Sequence, residues 1–272
     1  MQSDFCFSVL MSLYAKENPV SFRNAFKSIY HQQTTKPNQI VLVLDGPLTP
    51  ELYAEIESFQ QQLGSVLTRV ELPINKGLAH ALNTGLEYCR HEWVFRMDTD
   101  DLSLKTRFES QAGFLKQHRD VDVLGALIQE FDPDDESYQV IRNVPEQHDD
   151  IVQFAKSRNP INHPVSCFRK AAVIDLGGYP PVYPEDYLLW VKMIQSGKKF
   201  HNQQTVLLKM RTGSDFIKRR GRGFLKGEIN TYRHMLNSGF ISLPEFVKTV
   251  VLRSAVRLAP ASLKVLAYRH LR

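Results

Sequence analysis

Residues 93–101 read WVFRMDTDD, an apolar run followed at once by three carboxylates, those of Asp98, Asp100 and Asp101. The apolar run has the length and the aromatic and β-branched content of a buried β-strand. Side chains that directly follow a strand of a parallel sheet lie at its carboxyl edge, where such sheets bind ligands. We therefore predict an α/β protein with a functional site at this acidic segment.

The residues before this stretch alternate short apolar runs with amphipathic segments, which is typical of βαβ units around a mainly parallel sheet. Tyr14 and Asp45 come at the predicted ends of the first two strands, so we expect them on the same edge as Asp98. The predicted strands are Cys6–Tyr14, Ile40–Leu44, Val66–Leu72 and Trp93–Met97, and the predicted helices are Pro19–Gln33, Pro50–Leu63 and Leu78–Cys89.

The second half of the chain is less regular. The predicted helices are Leu104–Gln117, Asp149–Ala155 and Tyr187–Ser196, and the predicted strands are Val121–Phe131, Tyr138–Asn143, Val165–Arg169 and Val206–Arg211. Beyond the last strand the pattern indicates helices only. We predict one α/β domain over residues 1–215 and a basic helical tail over residues 216–272.

The charge of the chain is unevenly distributed. The net charge is +5 over 272 residues, but residues 217–272 carry twelve Lys and Arg against two acids. The cysteines, Cys6, Cys89 and Cys167, are too few and too scattered for a disulfide framework or a zinc site, which favours a reducing compartment. No uncharged stretch reaches the roughly 18 residues needed to span a bilayer. We therefore predict a cytoplasmic protein that is not integral to a membrane.

The acidic segment has two interpretations. Three carboxylates this close repel one another unless a cation neutralises them, and oxygen-only ligands suit Mg²⁺ or Mn²⁺. An ion that also bridges a diphosphate would use one or two of these carboxylates. The alternative is a solvated acidic turn that caps the helix starting near Ser103. The position at a strand end favours the metal site.

Other polar positions also have two interpretations each. Asp45 either accepts a hydrogen bond from a nucleobase or ribose, or forms a turn before Gly46. The start of the Leu78 helix has free amides and the charge of Lys76, which either face a phosphate or belong to an ordinary loop. Glu185 and Asp186 precede a helix, so either acid is an N-cap or a general base acting on an acceptor hydroxyl.

Several motifs follow one another in a characteristic order. They are SVLMSLY at residues 8–14, Asp45, NKG at 75–77 with Ala81, Asn83 and Gly85, MDTDD at 97–101, His163-Pro164 with Phe168-Arg169, Gly177-Gly178-Tyr179, and EDYLLW at 185–190. In this order they resemble the inverting glycosyltransferases of family 2. The resemblance implies the GT-A-type fold, a Rossmann-like mixed sheet flanked by helices that binds nucleotides.

The resemblance also implies a role for each of these residues. The donor would be bound by Tyr14, Glu17, Asp45, Lys76, Asp98, Asp100 and Arg211. A Mn²⁺ or Mg²⁺ ion would be held by residues among Asp98, Asp100 and Asp101, and the acceptor side would include His163, Glu185 and Trp190. Asp186 would be the base in a single in-line displacement at the anomeric carbon.

The implied reaction moves a sugar from a nucleotide donor, with UDP-sugars expected first, to a saccharide or lipid-linked saccharide of the bacterial envelope. One alternative is a sugar-phosphate nucleotidyltransferase, which should carry a Gly-rich basic loop that Ser12–Pro19 does not offer. The other alternative is a non-catalytic nucleotide-sugar or glycan-binding protein that retains the fold. Such a protein has no need of a base such as Asp186.

The basic tail predicts a second surface. Residues 246–272 contain six Lys and Arg and no acid, interleaved with aliphatic side chains. Such a segment lies in an anionic membrane surface, where each basic charge contributes about 1 kcal/mol. The alternative is a helix that packs on the body with a basic outer face. We expect residues 243–272 to hold the protein peripherally on the inner face of the cytoplasmic membrane, and we expect no nucleic-acid partner because stacking aromatics are few.

Overall fold

The computed structural model describes residues 5–212 and 222–258, and its centre is one β-sheet. The strands are β1 Phe7–Leu13, β2 Gln39–Leu44, β3 Leu67–Glu71, β4 Trp93–Arg96, β5 Leu102–Ser103, β6 Val123–Asp132, β7 Asp135–Arg142, β8 Cys167–Arg169 and β9 Phe200–Arg211. They lie in the order β3-β2-β1-β4-β8-β6-β9-β5, and β7 pairs with β6.

Helices cover the sheet on both faces. They are α1 Pro19–Ile29, α2 Pro50–Leu63, α3 Leu78–Tyr88, α4 Arg107–Gln117, α5 His148–Ala155, α6 Lys170–Ile174, α7 Glu185–Gln195, α8 Arg222–Asn237 and α9 Leu243–Leu258. Their ends follow ordinary capping rules. Asn18, for example, accepts hydrogen bonds through Oδ1 from the N–H groups of Val20 and Ser21, at 2.9 and 3.1 Å, just before Pro19 opens α1.

The parallel half of the sheet places the site. β1 pairs in parallel with β2 and β4, and β2 pairs in parallel with β3. β1, β2 and β4 are buried on both faces: Phe7 and Phe95 belong to the core under α1, α2 and α4, and Leu10 belongs to the core under α3 and α7. The carboxyl ends of β1, β2 and β4 therefore share one edge, as predicted from the sequence.

The other half of the sheet is mixed, which confirms the predicted fold class. β8 pairs antiparallel with β4 and β6, while β9 pairs in parallel with β6 and antiparallel with β5. β9 is longer than predicted and begins at Phe200, because its polar first residues also pair with β6. Gly125 allows this approach, since a Cβ there would lie 2.0 Å from Oδ1 of Asn202.

Further boundaries differ from the prediction for local reasons. Val165 belongs to a short 3₁₀ helix, His163–Val165, rather than to β8, as expected with Pro164 in its first turn. The helix predicted from Leu104 begins only at Arg107, because Leu102–Ser103 pairs with β9 as the strand β5. The short helix α6 was not predicted.

The helices after residue 221 pack against α7. Tyr187 and Val191 of α7 form a small core with Tyr232 and Met235 of α8. α9 is joined to α8 by a buried ion pair in which the Arg257 guanidinium donates to both carboxylate oxygens of Glu228, at 2.8 and 2.9 Å. The predicted boundary at 215/216 and the tail beyond residue 258 lie outside the described residues. No helix in the described part has the length and apolar composition needed to cross a membrane.

Candidate functional site

A cavity of about 520 Å³ opens at the carboxyl edge of the parallel strands. Its wall comes from the loops after β1, β2 and β4, the start of α7, the ends of β7 and β9, and the first turn of α8. Of the predicted site residues, it brings together Tyr14, Glu17, Asp45, Asp98, Asp100, Asp101, His163, Glu185, Asp186 and Arg211. Lys76 and Trp190 do not contribute to this wall.

Asp45 anchors the loop that leads into α3. Its Oδ1 accepts a hydrogen bond from the N–H of Lys76 at 2.8 Å, and its Oδ2 accepts one from the N–H of Gly77 at 3.0 Å. The loops approach closely, since a Cβ on Gly46 would lie 2.6 Å from the backbone nitrogen of Asn75. The expectation that the amides of this loop are free to bind a phosphate is therefore wrong for Lys76 and Gly77. The Lys76 side chain is exposed.

Two buried arginines lie beneath the acidic segment. Arg96 ends β4 with no exposed surface, and its guanidinium pairs with Oδ1 of Asp98. Arg107 is equally buried and donates from Nη2 to the carbonyl of Arg96 at 2.6 Å. Burial lowers the pKa of Arg107 to about 10, so it stays protonated at neutral pH. The protein thus supplies positive charge of its own, so a bound cation is not the only group that offsets the negative charge of the carboxylates.

Asp101 is the buried member of the acidic segment, with 1% of its surface exposed. Its Oδ1 accepts a hydrogen bond from the N–H of Arg211 at 2.8 Å, and Nε of Arg211 donates to the carbonyl of Asp100 at 3.1 Å. Burial, followed by the charges of Asp100 and Asp98, raises the pKa of Asp101 well above its usual range. Asp101 therefore ties the acidic segment to the end of β9 and is the least suited of the three to bind a cation.

Asp98 and Asp100 are the carboxylates that a ligand in the cavity can reach. The Asp98 side chain is 34% exposed, and Asp100 is half-buried. Among the described residues, no group of three or more His, Cys, Asp or Glu side chains is arranged to hold a metal ion. Mg²⁺ is commonly bound by one or two carboxylates together with substrate phosphates and water. The residues present fit an ion that binds together with a diphosphate rather than a self-sufficient metal centre.

Glu185 and Asp186 open α7 and are almost fully buried. Asp186 accepts a hydrogen bond through Oδ1 from the N–H of Tyr187 at 2.9 Å, and through Oδ2 from Nδ2 of Asn159 at 2.6 Å. Burial, followed by the charge of Asp186, raises the pKa of Glu185 to about 8. Burial therefore favours the protonated form of Glu185 at neutral pH. Pro184 is the N-cap of α7, and no side chain makes a capping hydrogen bond there, so the N-cap interpretation of Glu185 and Asp186 is wrong. Both acids belong to the first turn of the helix and line the cavity.

His163 lies between Glu185 and Tyr179. Its Nδ1 is 4.0 Å from Oε1 of Glu185, and its Nε2 is 3.0 Å from the Tyr179 hydroxyl. Burial and the nearby Arg96 lower the pKa of His163 well below its usual range, so the ring is neutral. Trp190 packs below it with a ring separation of 6.1 Å and has no exposed surface. The prediction that Trp190 contacts an acceptor is therefore corrected: the indole supports His163.

The Gly177-Gly178-Tyr179 motif fixes this histidine from the other side. Asn83 of α3 accepts from the N–H of Tyr179 at 2.7 Å and donates to its carbonyl at 2.9 Å. Gly178 has a φ of +76°, and a Cβ there would lie 2.4 Å from Oδ1 of Asn83. Only glycine allows Asn83 to hold Tyr179, and through it His163, in this position.

Among the described residues, several at the site were given no role from the sequence; they include Arg96, Arg107, Arg142, Asn159, Tyr183 and Phe224. Arg142, Tyr183 and Phe224 line the cavity, and Asn159 holds Asp186. Arg96 carries a signal that could have identified it, since a charge inside an otherwise apolar strand needs a buried partner. The others carry no such signal. Tyr183 stands close to Glu185 in the sequence but belongs to no recognised motif, and Arg142, Asn159 and Phe224 come from segments distant from the motifs around Asp98.

Comparison with known proteins agrees with this geometry. The family described as Glycosyl transferase family 2 matches residues 8–177. The amylovoran biosynthesis glycosyltransferase AmsE of Erwinia amylovora is 40% identical, over 96% of this chain and 97% of its own. A UDP-Gal:alpha-D-GlcNAc-diphosphoundecaprenol beta-1,3-galactosyltransferase of Escherichia coli is 35% identical, over 97% and 95%. The alignment with each of these two relatives therefore spans nearly the whole of both chains.

A solved structure shows the same fold. The mannosyltransferase of Pyrobaculum calidifontis, determined with GDP-Man and Mn²⁺, superposes with a TM-score of 0.68 at 17% sequence identity. The superposition covers 92% of this chain and 69% of that one. At this identity the likeness concerns the fold, which it confirms as the GT-A type.

Proposed function

The chain belongs to the glycosyltransferases of family 2, and we propose that it moves a hexosyl or N-acetylhexosaminyl unit from a UDP-sugar to a hydroxyl of a cell-envelope glycan, with inversion. The proposal depends on one observation: Asp45, the acidic segment at 98–101 and Asp186 all line the same cavity. The two bacterial relatives support this class of product, since one is a glycosyltransferase of amylovoran biosynthesis and the other is a galactosyltransferase acting on a GlcNAc-diphosphoundecaprenol.

The donor occupies the side of the cavity formed by the ends of β1, β2 and β4. Asp45, Tyr14 and Glu17 contact the base and ribose; the Asp45 carboxylate is already oriented by two amides, and each of its oxygens retains a second lone pair. Arg211, which lines the same cavity, binds the diphosphate. When bound at Asp98 and Asp100, a Mn²⁺ or Mg²⁺ ion neutralises charge on the departing diphosphate.

Asp186 serves as the base. It takes the proton of the acceptor hydroxyl while that oxygen bonds to the anomeric carbon on the face opposite the nucleotide. The bond between this carbon and the phosphate oxygen breaks, and the UDP leaves with the electron pair. Asn159 holds Asp186 in position, while burial favours the protonated form of Glu185 and the neutral form of His163 beside it.

We also propose that the enzyme works on the inner face of the cytoplasmic membrane, where a lipid-linked acceptor would be presented. α9 exposes Leu243, Val247, Val251, Leu252 and Leu258. Positions 243, 247 and 251 repeat every four residues and so lie on one face of the helix. The sequence that follows, residues 259–272, carries Lys264, Arg269 and Arg272 and no acid. An apolar face continued by basic residues suits an anionic lipid surface.

The catalytic assignment is tested by transfer of sugar from UDP-sugars to a soluble alkyl-linked α-GlcNAc diphosphate in Mn²⁺. We expect Asp186→Asn to lower kcat by about 10² to 10⁴, the usual contribution of a general base, with UDP affinity within a few-fold of wild type. Asp100→Asn should weaken Mn²⁺-dependent UDP binding, measured by calorimetry with and without chelator.

The matched control for both substitutions is Asp175→Asn, an exposed aspartate that follows α6 outside the cavity. We expect it to leave transfer and UDP binding unchanged. Full activity in both Asp100→Asn and Asp186→Asn would overturn the site assignment. Metal-dependent UDP binding without turnover on any saccharide would instead indicate a binding protein.

A further inference from the structure

The aromatic corner formed by Tyr183 and Phe224 closes the cavity next to the proposed base. Both side chains line the cavity, and their ring centroids lie 5.3 Å apart at 85°, an edge-to-face arrangement. Tyr183 is 50% exposed and stands two residues before Glu185. Phe224 comes from α8, in the C-terminal segment. The proposed donor contacts do not use this large aromatic surface, which faces the cavity.

The Phe224 ring is held by a buried ion pair. The Arg257 guanidinium lies 4.5 Å from the centre of the ring, and the same guanidinium binds both carboxylate oxygens of Glu228. The side chains of Arg257 and Glu228 are 5% and 7% exposed. A ring fixed in this way loses little side-chain freedom when a ligand stacks on it.

α8 meets the Tyr183 segment in direct backbone contact. A Cβ built on Gly227 would lie 1.4 Å from the carbonyl oxygen of Tyr183, so only glycine permits this approach. Further along α8, the Tyr232 hydroxyl donates to the carbonyl of Ser157 at 3.0 Å. The corner is thus assembled from two segments about 40 residues apart in sequence, 183–186 and 222–237, and both are fixed.

From this geometry we infer that Tyr183 and Phe224 form the platform on which the acceptor's sugar ring stacks, an inference that rests on the proposed glycosyltransferase function. One face of a pyranose presents C–H groups that pack on aromatic rings, while its hydroxyl groups need polar partners. At this corner the polar partners are Glu185 and Asp186, which follow Tyr183 and Pro184 in the chain. The donor contacts, Asp45 and Asp98, come from different strands. The platform therefore selects the acceptor and not the donor.

The experiment separates loss of a ring from loss of volume. Tyr183→Leu and Phe224→Leu keep apolar bulk without a ring, and Tyr183→Phe and Phe224→Tyr keep a ring. With alkyl-linked α-GlcNAc diphosphate as the probe, each Leu variant should raise the acceptor KM about three- to tenfold, the size of one aromatic contact. The KM for the UDP-sugar should stay within twofold, and each ring-retaining variant should resemble wild type in both constants.

Tyr88→Leu is the matched control, because Tyr88 is also 50% exposed but lies at the end of α3, away from the cavity. It should change neither KM. Unchanged acceptor KM in both Leu variants, or an equal rise in donor KM, would overturn the platform. Folding is followed by UDP affinity, and if one Leu variant unfolds, the Leu variant at the other position still decides.

Direct calorimetry of the probe separates this inference from the function on which it rests. Wild-type enzyme that binds the probe more tightly than the Leu variants do, but does not transfer to it, would refute the proposed reaction and leave the platform in place. Wild-type enzyme that transfers sugar with probe affinity equal to that of both Leu variants would refute the platform alone. Absence of probe binding by the wild-type enzyme would overturn the platform as well.

Discussion

The carboxylates of this site differ in the hydrogen bonds that they already accept within the protein. Asp45 accepts two backbone hydrogen bonds, Asp101 accepts one from Arg211, and Asp186 accepts one from Asn159 and one from its own helix. These contacts distinguish carboxylates that look equivalent in the sequence. Asp98, Asp100 and Asp101 all line the cavity, but Asp98 and Asp100 are partly exposed whereas Asp101 is 1% exposed. The proposed metal and diphosphate contacts therefore involve the first two.

The pKa of Glu185 leads to a prediction about stability. Burial and the charge of Asp186 raise it to about 8 in the folded state, from 4.5. Between these values the folded protein binds a proton that the unfolded chain has lost, so stability falls as pH rises through this window. We expect Glu185→Gln to remove this loss, so that the variant gains stability relative to wild type between pH 5 and 8.

The measurement is the free energy of urea unfolding at pH 5, 6.5 and 8. The difference between variant and wild type should grow with pH, by at most about 1.4 kcal/mol per pH unit for one proton. The lowered pKa of His163 makes the free energy of unfolding rise with pH below pH 6.5. His163 is present in both proteins, so this contribution largely cancels in the difference between them. The exposed Glu87→Gln on α3 is the control. A pH-independent difference for Glu185→Gln would contradict the assignment of its proton.

At the scale of secondary-structure elements, the site depends on close contacts between the loops and helices that connect the strands. The loop before α3 is held by Asp45, the Tyr179 segment by Asn83, and the segment before α7 by α8. Glycine stands at Gly46, Gly178 and Gly227, where a side chain would strike the neighbouring segment. These glycines set how near the functional loops come to one another.

Gly227→Ala tests the contact between α8 and the Tyr183 segment. The new Cβ would lie 1.4 Å from a backbone oxygen, so α8 must move. We expect the free energy of unfolding to fall by about 1 to 3 kcal/mol, the usual cost of overpacking. Thermal or urea unfolding measures the change.

The control for this substitution is Gly113→Ala in α4, where an added Cβ meets nothing within 4 Å. Alanine in an open helical position should raise stability by about 0.4 to 1 kcal/mol. If the two substitutions had equal effects, the close packing of α8 against Tyr183 would be contradicted.

At the scale of the whole molecule, the C-terminal helices have features of both interpretations of the tail, a membrane-binding segment and a helix packed on the body. α8 packs on α7, and α9 carries a buried ion pair with α8, so part of the tail is joined to the body. α9 also leaves apolar side chains exposed, as a membrane-facing helix does. A truncation after Ser242 would remove Arg257 and leave Glu228 buried without its partner, which is strongly destabilising.

Membrane binding is therefore tested in the full-length chain. Val247→Ser with Val251→Ser removes apolar surface from positions that are 50% and 64% exposed. We expect partitioning onto vesicles rich in anionic phospholipid to fall about tenfold or more, because each valine contributes up to about 1.5 kcal/mol when buried. Vesicle flotation measures it. Ile174→Ser, at a 46% exposed position on α6, should have no effect, and equal flotation of all three proteins would remove the membrane hypothesis.

The sequence by itself determined the described strands other than β5, most of the described helices and the edge at which the site lies. Apolar runs of strand length show where buried strands are, and Tyr14, Asp45 and Asp98 follow three of them directly. Parallel pairing then brings these residues to one edge without further information. The ordered motifs were enough to identify the family.

Only the tertiary structure decided which groups neutralise the carboxylates, which groups hold the loops of the site, and which residues distant in sequence also line the cavity. Arg96 and Arg107 offset the carboxylates, Asp45 occupies the amides of Lys76 and Gly77, and Trp190 is buried beneath His163. The aromatic corner joins Tyr183 to Phe224 across about 40 residues of sequence. Hydrogen bonds, burial and ring contacts between segments distant in sequence depend on how helices and loops pack, and local patterns of residues carry no record of that packing.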